Sequence, residues 1–219
     1  MEVTGGVVIT SGRTFFGLVS VSVAAILLTT GLAFSEQAQA QTGNGSPPDP
    51  SVLVGAKAPP LAGPNIAGSG QVDLSRYLGK PVVVVFWLNT CPHCRRDLPK
   101  INAYQRKLGK QVQIIGVALN WTDGTRGPKG FETPAAAIKT LHLTMPTVLY
   151  DATAALNPAP GQWAVRETPT AYVISPGGAI TAVLRADLNS SGEVTASDIN
   201  RALAQTNCGC ALKSGPGVA

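Results

Sequence analysis

Aromatic side chains are scarce, at 5% of the 219 residues, and charged ones make up only 13%. Lys and Arg outnumber Asp and Glu by 17 to 12, for a net charge of +5 and a pI near 9.2. The excess is scattered, as in Arg95, Arg96, Lys100, Arg106, Lys107 and Lys110 along one expected helix. That spacing reads as a solvated helix face and leaves a nucleic-acid interface without its usual footprint. No internal repeat and no long low-complexity tract occurs, which excludes a solenoid or array. Cysteine is absent before Cys91, so an export signal at the N-terminus would end without a site for lipid attachment.

What is present is 44% apolar residues, enough for one packed domain with tails. The N-terminus has a lone Arg13, a charge-free stretch from Thr14 to Phe34, and then Ala38 and Ala40 in the small-residue pattern that precedes a cut. Residues 1–40 therefore read as a signal peptide or an uncleaved membrane anchor. Residues 41–50, "QTGNGSPPDP", have nothing to bury and read as a flexible linker. A single domain is expected over 51–206, and residues 207–219 form a flexible tail. Both fates of the leader place the domain outside the cytoplasm, where disulfides persist.

Within the domain, Pro81 to Trp87 is apolar at every position, as a central strand covered on both faces requires. Pro92 to Leu108 reads as a helix: Pro92 suits a first helical position, and Leu98, Ile101, Tyr104 and Leu108 recur at three- and four-residue spacing. Pro99 inside it predicts a kink. Val112 to Leu119 is a second buried strand, Pro134 to Leu141 a second helix, and Thr147 to Tyr150 a short strand. "PTAYVIS" and "GAITAVLRA" flank the turn "PGG" as a hairpin, and a last helix spans Ala196 to Ala204. A turn of helix is expected at Leu74 to Tyr77. The order implies an α/β fold, a mixed central sheet flanked by helices on both faces.

The stretch "FWLNTCPHCRRDLP" places Cys91 and Cys94 where a strand meets a helix. A metal site, a structural staple and a redox pair all use this spacing. A structural zinc site normally needs four ligands, and here only the tail cysteines, Cys208 and Cys210, can add thiols. A redox pair needs no more than what the junction supplies. The first thiol lies at a helix N-terminus, where unpaired N–H groups stabilise a thiolate, and the second lies one turn on, within reach of it. Cys91 then attacks a partner disulfide and Cys94 resolves the intermediate.

In order along the chain, "GKPVVVVFW", "CPHC", Pro99, "VQIIGVAL" and "ETPTAYVISPGGAI" resemble the thioredoxin superfamily, specifically its exported TlpA/ResA-like members. The resemblance covers about Val54 to Ala204. It implies a thioredoxin-like fold, a thiol:disulfide oxidoreductase whose only redox group is the Cys91–Cys94 disulfide, and no metal or other cofactor. It also implies that Pro169, after Thr168, is cis and lies against the pair, with Thr168 offering its backbone to an extended substrate strand. Expected partners are client proteins with thiols or disulfides, such as apocytochrome c or a copper-site protein, and a membrane redox partner.

The departures from the family pattern carry information too. Thr90 stands where many members have Trp, and Val85 replaces the buried acid of thioredoxin itself. Asp97 holds the place, three residues after the second cysteine, where TlpA/ResA-like members often have Glu, and it is the expected proton-handling group; Glu167 is a second acid that would face the site. The Pro92-His93 dipeptide matches the strongly oxidising DsbA proteins, in which a histidine favours the thiolate and makes the disulfide more oxidising. Family and dipeptide thus point in opposite directions of electron flow. The spacing of proline and threonine before a peroxiredoxin's reactive cysteine is absent around both Cys91 and Cys94.

Four further features stay beside this reading. Cys208 and Cys210 form either a second redox pair or a local or dimer-linking disulfide. "DLNSSGEVTASD" places Asp187, Asn189, Ser191, Gly192 and Asp198 on the calcium-loop template, but equally on a turn followed by a helix cap at Thr195 or Ser197. His142 reads as a helix-end residue, and Trp87 as core, while Trp121 and Trp163, in Gly- and Pro-rich surroundings, are candidates to line the substrate approach. The rival function is a copper or zinc carrier that uses Cys91, Cys94, His93 and the tail cysteines, since soft thiolates suit Cu(I).

Overall fold

The computed structural model describes residues 49–120, 132–186 and 192–206. The expected signal, most of the linker, Trp121, the 207–219 tail with Cys208 and Cys210, and Asp187 to Ser191 of the calcium-template segment lie outside the described residues. The elements run β1 (Ala62–Pro64), β2 (Gln71–Asp73), β3 (Val82–Trp87), α1 (Pro92–Leu108), β4 (Gln113–Asn120), α2 (Pro134–Thr140), β5 (Thr147–Asp151), α3 (Ala152–Leu156), β6 (Thr170–Ile174), β7 (Ile180–Arg185) and α4 (Ala196–Ala204). Short 3₁₀ turns occupy Pro50–Leu53 and Leu74–Tyr77.

The main sheet has the order β5-β4-β3-β6-β7, parallel from β5 to β3 and antiparallel across β3, β6 and β7. All six residues of β3 are fully buried, which its uniform apolar run demands. Alternation then divides the core. Val83, Val85 and Trp87 pack with Leu98, Ile101 and Leu108 of α1, Ile138 of α2, and Ile199 and Leu203 of α4. On the opposite face, Val82, Val84 and Phe86 pack with Leu61, Trp163, Tyr172 and the short α3. Among the described residues, one face therefore carries three helices, and the other one short helix with irregular cover.

Close approach of strands explains one glycine. Gly116 of β4 pairs with Thr147 of β5, and a Cβ there would lie 2.6 Å from Thr147 Oγ1. The sequence under-read two elements: α3 is five residues long, too short to show a periodicity, and the β1–β2 hairpin is only three residues a side. Asp49 and Pro50, read as linker, belong to the folded body. Asp49 caps the first 3₁₀ turn and pairs with Arg185 at 3.0 Å.

Trp163 corrects an expectation. Rather than lining an approach to the site, it is fully buried, its ring centroid 5.4 Å from that of Phe86 and 5.0 Å from that of Tyr172, and its Nε1 donates to the Pro60 carbonyl at 3.2 Å. A large amphipathic ring finds a core place when one backbone acceptor satisfies its N–H.

Candidate redox site

Two features of the topology bring the predicted residues together. The carboxyl end of β3 leads through Leu88 to Thr90 directly into α1, and β6 lies beside β3 with Thr170 paired to Phe86. The residues before Thr170 therefore arrive next to the start of α1. There the Thr168–Pro169 bond is cis and Pro169 is buried. Cys91 Sγ lies 3.3 Å from the Thr168 carbonyl oxygen, to which the protonated thiol donates.

Cys91 is the N-cap of α1 and has extended backbone angles. Its Sγ accepts the backbone N–H of Cys94 at 3.3 Å, the place usually filled by a Ser, Thr, Asp or Asn oxygen. Both thiols are free; Cys91 is half-buried and Cys94 fully buried. Hydrogen bonding from the Cys94 side chain lowers the Cys91 pKa from the ordinary 9.0 to about 6, against the opposing effect of burial and helped by the Thr168 side chain, the Cys94 backbone and the charge His93 carries in its protonated form. Burial pushes the Cys94 thiol well above its ordinary value, and Cys91 adds to that rise. A nucleophile and a protonated resolving thiol are thus one helical turn apart.

Asp97 is buried on the same helix. Its Oδ1 accepts from Arg96 Nε at 3.0 Å, while Oδ2 has no hydrogen-bond partner among the described residues. Glu167 is turned to Arg185, which its Oε1 meets at 3.2 Å, and not to the cysteines as the sequence had allowed. His93 is exposed, and its Nδ1 lies 3.1 Å from Arg96 Nη2. The dipeptide allowed it either to donate to the Cys91 thiolate or, when charged, to attract it; among the described contacts it makes no hydrogen bond to Cys91, and its charged form lowers the Cys91 pKa. His142 follows α2 with φ 51°, and its carbonyl accepts from the side chain of buried Asn102 at 3.2 Å, a helix-end role.

The sequence missed the frame around the pair. Arg95 and Arg96 had been read with the solvated basic face, yet each ties a neighbouring segment to the start of α1. Arg95 forms an ion pair with Glu132 and donates to the Asn89 carbonyl at 3.3 Å, and Asn89 donates to the Glu132 backbone. Arg96 meets Glu193 at 2.7 Å. A short-range signal existed in the two arginines directly after Cys94, but their acidic partners lie 37 and 97 residues on.

Within the calcium-template segment, Asp198 is already used. It forms a capping box with Thr195 and pairs with Arg201 at 3.4 Å, so the helix-cap reading accounts for it. Among the described residues, no group of three or more His, Cys, Asp or Glu is placed to hold a metal ion, and the carrier reading finds no described ligand set around Cys91 and Cys94.

A mixed five-stranded sheet, a C-x-x-C opening the helix after its central strand and a cis-proline beside the pair define a thioredoxin-like protein. Residues 54–183, more than half of the chain, match the AhpC/TSA family, and the chain belongs to that family. The thiol-disulfide oxidoreductase YkuV of Bacillus subtilis is 25% identical over 79 residues, 36% of this chain and 53% of the relative. The chain thus matches about half the length of that protein. Among solved structures, a DsbF homologue from Corynebacterium diphtheriae is similar with a TM-score of 0.52 and 21% identity, covering 75% of this chain and 95% of its own. A thiol:disulfide interchange protein of the thioredoxin family from Chlorobium tepidum gives 0.51 and 20%, over 75% and 99%. A secreted thiol-disulfide isomerase from Corynebacterium glutamicum gives 0.50 and 19%, over 68% and 84%. These likenesses establish the thioredoxin-like fold that the sequence implied.

Proposed function

We propose that this chain is an extracytoplasmic thiol:disulfide oxidoreductase that exchanges a Cys91–Cys94 disulfide with client proteins. The observation that carries the reading is the split between the two thiols, one held at an ionising helix N-terminus and one buried and protonated. The pair is itself the redox group, and no further cofactor is needed.

In the reducing direction, the Cys91 thiolate attacks one sulfur of a client disulfide, forming a mixed disulfide and expelling a client thiolate, which takes up a proton. Cys94 then loses its proton and attacks Cys91 Sγ. The mixed bond breaks, the Cys91–Cys94 disulfide forms, and the second client thiolate leaves and is protonated. Two electrons and two protons pass to the client, and the oxidising direction is the reverse. The Thr168 carbonyl, already beside Cys91 Sγ, positions an extended client segment as a strand partner. Asp97, with one carboxylate oxygen held by Arg96 and the other without a partner among the described residues, handles the Cys94 proton.

The location outside the cytoplasm is supported by the leader-like residues 1–40 and by the secreted relative from Corynebacterium glutamicum. A membrane redox partner resets the pair after each turnover. The test is trapping in cells that express the full chain. Cys94→Ser should accumulate client disulfides through Cys91 that dissolve on reduction, and Cys91→Ser should accumulate none; equal trapping by both variants, or by neither, contradicts the reading.

A further inference from the structure

The histidine between the cysteines is held by groups outside the pair. Gly192, between β7 and α4, has φ +64°, and a Cβ there would lie 3.4 Å from His93 Cε1, so the segment before α4 lies against the ring. Arg96 connects the two. Its Nη2 is 3.1 Å from His93 Nδ1 and 3.4 Å from the Gly192 carbonyl oxygen, while its Nε meets Asp97 at 3.0 Å and Glu193 at 2.7 Å. A guanidinium only donates hydrogen bonds. The nitrogen facing it must therefore be the proton-free one, which leaves the hydrogen of the neutral ring on Nε2.

We infer that Arg96 is a positioning residue of the redox site: it fixes the orientation and tautomer of His93 against Gly192, and because a ring held through Nδ1 is neutral, His93 lends its charge to Cys91 only when Arg96 releases it. Among the described residues, Arg96 joins the ring to two carboxylates, Asp97 from the start of α1 and Glu193 from the segment before α4, and Cys91 is the thiol that the charge of His93 reaches. The two carboxylates engage the Nε side of Arg96, and its Nη2 is left for the ring and the Gly192 carbonyl. Without the arginine, an exposed imidazole loses its only described polar partner and turns freely. This deepens the oxidoreductase reading and rests on it for the consequence at Cys91, though not for the geometry at His93.

The test uses the full chain with Cys208→Ser and Cys210→Ser, which leaves Cys91 and Cys94 as the only thiols. The equilibrium constant with glutathione is measured for this chain and for His93→Ala, Arg96→Met and the combination. His93→Ala should change the constant by less than about twofold when Arg96 is present and by roughly three- to tenfold when it is absent, since residues acting as one unit are not additive. Effects that simply multiply overturn the inference. Nitrogen NMR of His93 near pH 8, where an ordinary imidazole is neutral, supplies a readout independent of redox activity. Nδ1 should be proton-free in the parent chain, and its signal should move toward the averaged value of a free peptide in Arg96→Met and in Gly192→Ala. Identical nitrogen signals in parent and variants overturn the positioning role. If Cys91 and Cys94 show no defined couple, the oxidoreductase reading fails, and the nitrogen signals alone decide whether Arg96 holds the ring.

Discussion

Cys91 Sγ accepts the backbone N–H of Cys94 across 3.3 Å, so the sulfur that opens α1 also caps it. A thiolate satisfies that donor better than a thiol does, and the helix N-terminus favours the negative charge. Capping and nucleophilicity are one interaction.

The rate of Cys91 alkylation by iodoacetamide should therefore reach half its maximum near pH 6, with Cys94 unreactive in the folded protein. Rates followed by mass spectrometry from pH 4 to 9 check this. A midpoint near the ordinary 9.0 would remove the electrostatic basis of the account.

The same shift ties stability to pH. The thiol titrates near 9.0 when unfolded and about 6 when folded, so the stabilisation from its ionisation is complete above about 9 and lost as pH falls through about 6. Cys94, shifted upward, contributes in the opposite sense, and only where pH rises past its unfolded value. The oxidised protein has neither thiol. The reduced form should thus gain stability relative to the oxidised form between pH 6 and 8, read as the difference in their Tm values.

Asp97→Asn keeps the shape of the side chain and removes its proton affinity. Resolution of a preformed mixed disulfide on Cys91 should slow by about 10²-fold, within the range expected for loss of a positioned acid–base group. The Cys91 alkylation midpoint should stay near pH 6. An unchanged resolution rate would leave Asp97 as a structural partner of Arg96 only.

The core on the α1 face makes its own prediction. Leu98 of α1 is fully buried against the sheet, and Leu98→Ala should cost about 2–5 kcal/mol in denaturant unfolding. Gly116→Ala should also destabilise, because its new methyl meets Thr147 Oγ1 on the adjacent strand rather than open space. A Gly116→Ala chain as stable as the parent would show that β4 and β5 can separate locally without loss.

Much of this arrangement is visible in the chain itself. The run Val82 to Trp87, the helix from Pro92 to Leu108 and the hairpin around Pro176 to Gly178 follow from period, apolar content and turn chemistry, which are local properties. Cys91, Cys94, Thr168 and Pro169 meet because Phe86 pairs with Thr170, a contact between distant segments that the family resemblance supplied and composition does not. The ties from Arg95 to Glu132 and from Arg96 to Glu193 were illegible for the same reason: an arginine on a helix face looks solvated until the partner segment is placed. Trp163 was misread because glycine- and proline-rich surroundings suggest a loop surface, yet the ring folds inward onto Phe86 and Tyr172.

The most direct measurement is the redox equilibrium of Cys91 and Cys94 against glutathione buffers, in the full chain with Cys208→Ser and Cys210→Ser. The account predicts one two-electron couple with a potential between the values of about −270 mV for thioredoxin and about −120 mV for DsbA. Its position within that span gives the direction of electron flow. A pair that never forms a reversible disulfide under any buffer would contradict the account at its centre.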